Sequence, residues 1–392
     1  MIAWLIVIGA ALGHISLHLA IYNRLNGTGF RRRTIKRVEK LFFASFVVIP
    51  IFFAAWWWDE PSPINTLGDR LRSLSWVTQA YGVLCITSLF AFGIPWLMWR
   101  PIFGLEWTLA PRRVDVVNVA AEVDGPLPLS TKCRWESKIP FNQIFDLAIE
   151  EIELPVPGLD PSLDGLRVAH LSDLHFTGDI SPQYAKFVVA KANQWQPDLS
   201  VITGDIIDKQ KCIEWLFPIF SGATATYGKF FILGNHDTRV SDPSEVRREM
   251  TRSGWTDVGG RVESVMVRNQ SVEILGNEKP WFSRPPLEHH KPTVAPVFRI
   301  LLSHSPDQIW WARRHGIPLM LAGHTHGGQG RVPLVGPLLS PSFHGSRFAS
   351  GDFYKAPTTM HVSRGLGGVH LLRWNCRPEL SLLILRSVTK SP

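Results

Sequence analysis

Three long apolar runs open the chain, and a different pattern follows them. Residues 1–22 carry no charged side chain, although His14 and His18 interrupt the run. Residues 41–58 and 75–99 are also uncharged. A bilayer-spanning helix needs about 20 apolar residues, so the pattern predicts three transmembrane helices, at 1–22, 41–58 and 75–99. Trp56, Trp57 and Trp58 close the second run; Trp76 opens the third, and Trp96 and Trp99 close it. Amphipathic rings settle at the headgroup level in this way. The first run has no Lys or Arg ahead of it and no clear small-x-small cleavage site, so it reads as a retained span and not as a signal peptide. His14 and His18 share a helix face. Packing or hydrogen bonding against a neighbouring helix accounts for them better than a bound haem.

Residues 101–146 show no strong periodicity. Pro111, Gly125, Pro126, Pro128 and Pro140 break them, and they read as a linker. From residue 147 the pattern changes again. Residues 147–156 alternate apolar and polar like a half-buried strand. RVAHLS, LSVIT at 199–203, KFFIL at 229–233, FRILL at 298–302 and PLMLA at 318–322 read as buried strands. Residues 182–195, 211–220 and 243–253 read as helices, 261–283 as short strands, and the C-terminal RPELSLLIL as one more strand. The expectation is an α/β layered domain over 147–392.

Composition narrows the class. Of 392 residues, 45% are hydrophobic and 19% charged, which excludes a disordered chain. The four cysteines, Cys85, Cys133, Cys212 and Cys376, form no CxxC and no disulfide framework. A net charge of +8 would suggest nucleic acid, but its distribution argues otherwise. Residues 1–113 hold 12 basic and 5 acidic residues and eight of the 16 tryptophans; residues 114–392 hold 29 and 28. The nearly neutral domain does not look like a phosphate-backbone binder. The excess marks topology. Arg24, Arg31, Arg32, Arg33, Lys36, Arg37 and Lys40 lie between the first two predicted spans, against Arg70 and Arg72 between the next two. Basic loops stay in the cytoplasm. The expected arrangement is a multi-pass protein of the cell (inner) membrane, with its N-terminus outside and everything after residue 100 cytoplasmic.

Five polar blocks follow five of the strand patterns directly. They are Asp173-Leu174-His175, Gly204-Asp205-Ile206-Ile207-Asp208, Gly234-Asn235-His236-Asp237, the block at His304, and Gly323-His324-Thr325-His326. One such block alone is weak, since a lone DxH is often an N-cap. Five at strand ends, offering carboxylate, imidazole and amide oxygen without thiolate, suit borderline or hard divalent ions.

The series DxH, GDxxD, GNHD, H and GHxH resembles the signature of the calcineurin-like metallophosphoesterases, over roughly residues 147–388. LAGHTHGGQ, RVPLVGP, VSRGLGG and RPELSLLIL are similar to a membrane-associated bacterial branch related to UDP-2,3-diacylglucosamine pyrophosphatases of the chlamydial type. The resemblance implies a four-layer α/β/β/α sandwich preceded by transmembrane helices. It implies a phosphoric ester hydrolase that works by metal-activated hydroxide with two divalent ions, manganese first, with iron, zinc or magnesium as alternatives. Asp173, His175 and His326 would hold one ion, Asn235, His304 and His324 the other, and Asp205 would bridge them. His236 would be the general acid, with Asp208 holding its ring. Arg239, Arg331, His344 and Arg347 are candidate phosphate contacts. The implied substrate is a lipid-linked phosphate, with UDP-2,3-diacylglucosamine of lipid A synthesis preferred and another phospholipid or nucleotide the alternative. A non-catalytic scaffold is disfavoured, because His236 and all seven ligand positions are intact. Gly330 departs from the pattern, and three spans exceed the single anchor usual in that branch. The loop 284–296 is expected to cover the site, with His289 and His290 as surface residues, and Trp310 and Trp311 are expected in the core.

Overall fold

The computed structural model describes residues 2–59, 67–102, 110–287, 297–368 and 370–388. The chain forms two compact units. One comprises Met1–Gly104 with Pro341–Arg347, and the other the remainder.

The first unit is helical: α1 Ile2–Asn26, α2 Arg32–Asp59, α3 Leu67–Ser73, α4 Trp76–Ser88 and α5 Ile94–Ile102, with a π-helical turn Leu89–Gly93 joining α4 to α5. Among the described residues, three helical stretches are long and apolar enough to cross a membrane: Ile2–Asn26, Arg32–Ala55 and Trp76–Met98. The second helix starts earlier than its apolar run. Arg32, Arg33, Lys36, Arg37 and Lys40 therefore ride on its first turns, not in a loop. These residues are good helix formers, and Lys36 pairs with Glu39 at i,i+3. Small residues set the helix approach, as in membrane interfaces. A Cβ on Gly13 would fall 1.9 Å from the Cys85 carbonyl oxygen, and one on Gly93 would fall 2.4 Å from Ser16 Oγ. His14 reaches Tyr81 Oη through Nδ1 at 2.7 Å and the Phe46 carbonyl through Nε2 at 3.1 Å. His18 reaches the His14 carbonyl at 2.8 Å and Ser45 Oγ at 2.9 Å. As expected, the pair ties α1 to its neighbours. Pro341–Arg347 joins this unit through Ser342, whose amide donates to the Asn23 carbonyl at 3.0 Å.

The second unit holds the strands β1 Arg112–Asn118, β2 Asp146–Pro157, β3 Leu166–Leu171, β4 Leu199–Thr203, β5 Gly228–Ile232, β6 Thr256–Asp257, β7 Val262–Val267, β8 Gln270–Asn277, β9 Phe298–Ser303, β10 Leu319–Ala322, β11 Arg331–Val332, β12 Gly336–Pro337, β13 Gly351–Lys355, β14 Thr358–Val362 and β15 Glu379–Val388. Its helices are α6 Val119–Glu122, α7 Thr131–Glu136, α8 Pro182–Gln194, α9 Leu216–Phe220, α10 Pro243–Arg252 and α11 Ile309–Arg314. One sheet runs β1-β2-β15-β3-β4-β5-β6, the other β13-β14-β10-β9-β8-β7. Their facing sides bury Ile152, Val168, Val201 and Leu383 against Ile274, Ile300 and Leu321. Helices α8, α9 and α10 cover the outer face of the first sheet through Val188, Phe220 and Met250. Helix α11 packs Ile309 and Ala312 on the outer face of the second. This is the expected α/β/β/α order, with the alternation of buried and half-buried positions along β2 matching its sequence.

The linker expectation for 101–146 needs correction. Within it, Arg112–Asn118 forms an edge strand paired antiparallel to β2, from Arg112 opposite Ile152 to Asn118 opposite Asp146. Its side chains are exposed along almost the whole strand, so it has no buried face to give it periodicity. Residues 103–109 lie outside the described residues.

A buried ionic network joins the two sheets. Arg112 pairs with Glu150 at 3.2 Å and with Asp352. Arg364 pairs with Glu150, and with Glu379 at 3.1 Å. His361 Nδ1 donates to Asp352 at 2.7 Å and Nε2 lies 3.0 Å from Ser381 Oγ. Burial works against a charge on His361, but Asp352 and Glu379 outweigh it and push its pKa up to about 9. A pKa raised above the unfolded value of about 6.5 stabilises fully below that value and is lost as pH climbs toward the folded one. Urea melts should therefore show about 1–3 kcal/mol lost between pH 6.5 and 9.5. In His361→Gln this loss should shrink; an undiminished loss would assign it elsewhere.

Candidate metal centre

The five polar blocks emerge where strands end, at the carboxyl edge that α/β folds use for ligands. Asp173 and His175 follow β3, Asp205 and Asp208 follow β4, and Asn235 and His236 follow β5. His304 follows β9, and His324 and His326 follow β10. Five of these residues take positive φ: Asp173 at 52°, His175 at 51°, Asp205 at 51°, His324 at 71° and His326 at 51°. Side-chain-bearing residues adopt that region at a cost of about 1–3 kcal/mol each. Glycines clear the space around them. A Cβ on Gly234 would lie 2.3 Å from Asp205 Oδ1, and one on Gly323 would lie 1.9 Å from Ser172 Oγ and 2.3 Å from Asp173 Oδ2.

The hydrogen bonds settle which imidazole nitrogens face inward. His304 Nδ1 lies 2.7 Å from the Thr203 carbonyl. A carbonyl only accepts, so Nδ1 carries the proton and Nε2 offers its lone pair. That nitrogen lies 3.1 Å from Asn235 Oδ1, 3.1 Å from His324 Nδ1 and 3.3 Å from Asp205 Oδ1. His175 Nδ1 donates to Asp208 Oδ2 at 2.7 Å. Its Nε2 then faces His326 Nε2 at 3.0 Å and Asp205 Oδ2 at 3.5 Å. His326 Nε2 lies 3.4 Å from Asp173 Oδ1. Two sets result, Asp173 with His175, Asp205 and His326, and Asp205 with His304 and His324. Asp205 belongs to both, one oxygen toward each. Asn235 adds an amide oxygen to the second set. Carboxylate oxygens, imidazole nitrogens and an amide oxygen converge here, a set that a divalent cation satisfies. Burial opposes a charge on His304, yet Asp205 and Asp173 push its pKa up to about 9. His324 Nε2 stays buried without a hydrogen-bond partner among the described residues.

Neighbouring groups hold these ligands still. Asp173 accepts from Ser172 Oγ at 2.6 Å and from the His324 amide at 3.0 Å. Asp205 Oδ1 accepts from the His236 amide at 2.7 Å. Asp237, fully buried, accepts from the amides of Ile206, Ile207 and Gly234 at 2.7–3.0 Å and so clamps two ligand loops together. Burial, then the charge of Asp205, pushes its pKa up to about 7. At the adjoining corner His236 Nδ1 donates to Asp208 Oδ1 at 2.7 Å. Arg239 reaches the same carboxylate, and its other terminal nitrogen lies 2.7 Å from His236 Nε2. Burial pushes the His236 pKa down to about 4.

The other candidates spread out. Arg331 donates to the Gly327 carbonyl at 3.0 Å and bonds Ser350 Oγ, so it braces the loop after His326. His344 and Arg347 belong to Pro341–Arg347, described with the helical unit. His289 and His290 lie outside the described residues, as does most of the 284–296 loop. Trp310 is exposed and not in the core; Trp311 is half-buried, with its ring 4.4 Å from that of His315. Sequence reading missed Trp281, whose ring lies 4.8 Å from His324 and 5.4 Å from His304 and walls the second donor set. No spacing rule points to it. The Asp237 clamp was legible only as part of the GNHD block.

Replacement of Gly323 by Ala should displace Asp173 and lower bound metal to one ion per chain or fewer. Elemental analysis of the purified variant measures this, and full loading would contradict the crowding.

Comparison with known proteins agrees with this geometry. The calcineurin-like phosphoesterase family profile matches residues 166–328. The uncharacterized metallophosphoesterase YkuE of Bacillus subtilis is 31% identical over 230 residues, covering 57% of this chain and 80% of its own. Phosphodiesterase YaeI of Escherichia coli is 28% identical over 225 residues, 56% of this chain and 82% of that one. The UDP-2,3-diacylglucosamine pyrophosphatase LpxG of Chlamydia muridarum is 23% identical over 297 residues, 60% and 88% respectively.

Proposed function

The chain belongs to the calcineurin-like metallophosphoesterases, and on that premise we propose that it is a membrane-anchored, dinuclear phosphoesterase that cleaves a phosphodiester or pyrophosphate bond in a lipid-linked substrate. The observation that carries the reading is Asp205, whose two oxygens face separate imidazole sets. Asp173, His175, His326 and Asp205 would hold one divalent ion; Asp205, Asn235, His304 and His324 would hold the second. Ions bound there supply Lewis acidity to phosphoryl oxygens and a hydroxide nucleophile at neutral pH. Manganese is taken first on the family resemblance, with iron, zinc or magnesium as alternatives that the same nitrogen and oxygen donors suit.

The chain's own groups do the rest. Asp208 fixes the His236 tautomer with Nδ1 protonated, so Nε2 is the atom that can exchange a proton with a leaving oxygen. Burial, helped by the charge of His175, keeps that ring neutral by holding its pKa down at about 4. A bound phosphate brings the negative charge that favours its protonated form. Arg239, already at Nε2, offers a fixed cation to the same phosphate.

Three apolar helices support a membrane location. A multi-pass inner-membrane protein with the domain in the cytoplasm follows from the basic residues flanking the first two spans. A reporter fused to the C-terminus should be active inside the cell; activity only outside would reverse the topology. The chlamydial relative, a UDP-2,3-diacylglucosamine pyrophosphatase, supports UDP-2,3-diacylglucosamine as the substrate. Detergent-solubilised protein with manganese should release UMP and the acylated sugar phosphate from it, and a chelator should abolish this. Cleavage of an aryl phosphodiester but not of this compound would remove the substrate alone. No cleavage of any phosphoester by the metal-loaded protein would overturn the class. His236→Asn should lower kcat by about 10²–10⁴ with both ions retained.

A further inference from the structure

The catalytic unit carries an exposed apolar and basic rim beside the metal centre. Trp135 in α7 is 73% exposed, and Phe141 just after it is 82% exposed. Leu334 protrudes fully at the tip between β11 and β12, and Trp374 is exposed too. Leu334 takes φ of 64°, a region that favours glycine, so a large apolar side chain is held out where a glycine would strain less.

Hydrogen bonds stitch these three loops into one surface. Asn142 donates to the carbonyls of Glu136 at 2.8 Å and Leu371 at 2.7 Å, and accepts from the Arg373 amide at 2.9 Å. The Trp374 amide donates to the Gln329 carbonyl at 2.9 Å, and the Arg331 amide donates to the Trp374 carbonyl at 3.0 Å. The buried Arg373 then donates to the His326 carbonyl at 3.2 Å. The rim is therefore fixed to the backbone of a metal-ligand candidate.

Its chemistry is that of an interfacial anchor. Lys132, Arg134 and Lys138 are exposed among the apolar side chains, with Glu136 the acidic residue between them. Trp and Phe beside Lys and Arg suit the boundary between acyl chains and anionic headgroups, and clustered exposed apolar groups mark an interaction surface. The same chain carries three helical stretches long and apolar enough to cross a membrane, which bring a bilayer to the domain.

We propose that this rim docks on the bilayer surface, with Trp135, Phe141, Leu334 and Trp374 in the interfacial layer and Lys132, Arg134 and Lys138 over anionic headgroups. The proposal rests on the membrane reading of the apolar helices and not on the substrate.

The test uses the full chain in nanodiscs of phosphatidylcholine with one quarter phosphatidylglycerol. An environment-sensitive fluorophore is attached at Phe141→Cys or Leu334→Cys. All four native cysteines are buried, so labelling goes to the introduced thiol. Phe90→Cys on the third span and Met266→Cys on the edge strand β7, both exposed positions, serve as the inserted and the solvated control. Brominated lipid should remove about half of the emission at 141 and 334, as at 90, and leave 266 unchanged. Joint replacement of Lys132, Arg134 and Lys138 by Glu should weaken quenching at 141 in these discs more than in pure phosphatidylcholine. Quenching at 90 with none at 141 and 334 would overturn the proposal while leaving the membrane reading intact. Shielding at 141 without lipid quenching would also overturn it, since protein would then be the cover.

Discussion

Lone pairs that point at the same small space repel one another, and much of this domain exists to hold them there. Asp205 is the centre of that constraint. One of its oxygens faces a nitrogen of His175 and the other a nitrogen of His304, and the far nitrogens of those rings donate to Asp208 and to the Thr203 carbonyl, which fixes how each ring is turned. Water would relax such a set by moving between the groups. The sandwich prevents this with donor loops at a strained φ, glycines that admit oxygens at van der Waals contact, and a buried Asp237 that binds two loops through three amides.

The strands carrying the donors were legible because each is a short apolar run ended by a polar block. Burial on both faces leaves no alternation, yet the abrupt switch from LSVIT to GDIID or from PLMLA to GHTH marks the strand end well. The two-sheet layering followed from the family resemblance, not from periodicity. What escaped detection had no such contrast. Arg112–Asn118 is an edge strand with both faces open to solvent, so its polar and apolar residues do not segregate. Trp281 reaches the site from a turn after β8, a contact set by tertiary packing alone. Trp310 looked like a core residue because aromatic pairs usually are; its neighbour Trp311 takes the partly buried position, and Trp310 faces outward.

The two units solve opposite solvation problems with related means. In the helices, His14 and His18 satisfy one another's surroundings with Tyr81, Ser45 and two backbone carbonyls, because hydrocarbon offers no partner. In the sandwich, Arg112, Glu150, Asp352, His361, Arg364 and Glu379 do the same between two sheets. Both are closed polar networks. The candidate metal centre differs because carboxylates and imidazoles from five loops crowd one small space.

Strand β15 lies between β2 and β3, parallel to one and antiparallel to the other. It is also translated after every donor residue, since Glu379 follows His326. While the ribosome is still working, β2 and β3 have no partner to join them, and the loop bearing Asp173 and His175 has no finished sheet beneath it. The nascent polypeptide therefore emerges with its whole donor set synthesised but unseated. On the proposed reading, ions would find a seated donor set only after the last strand has been threaded into the middle of the sheet.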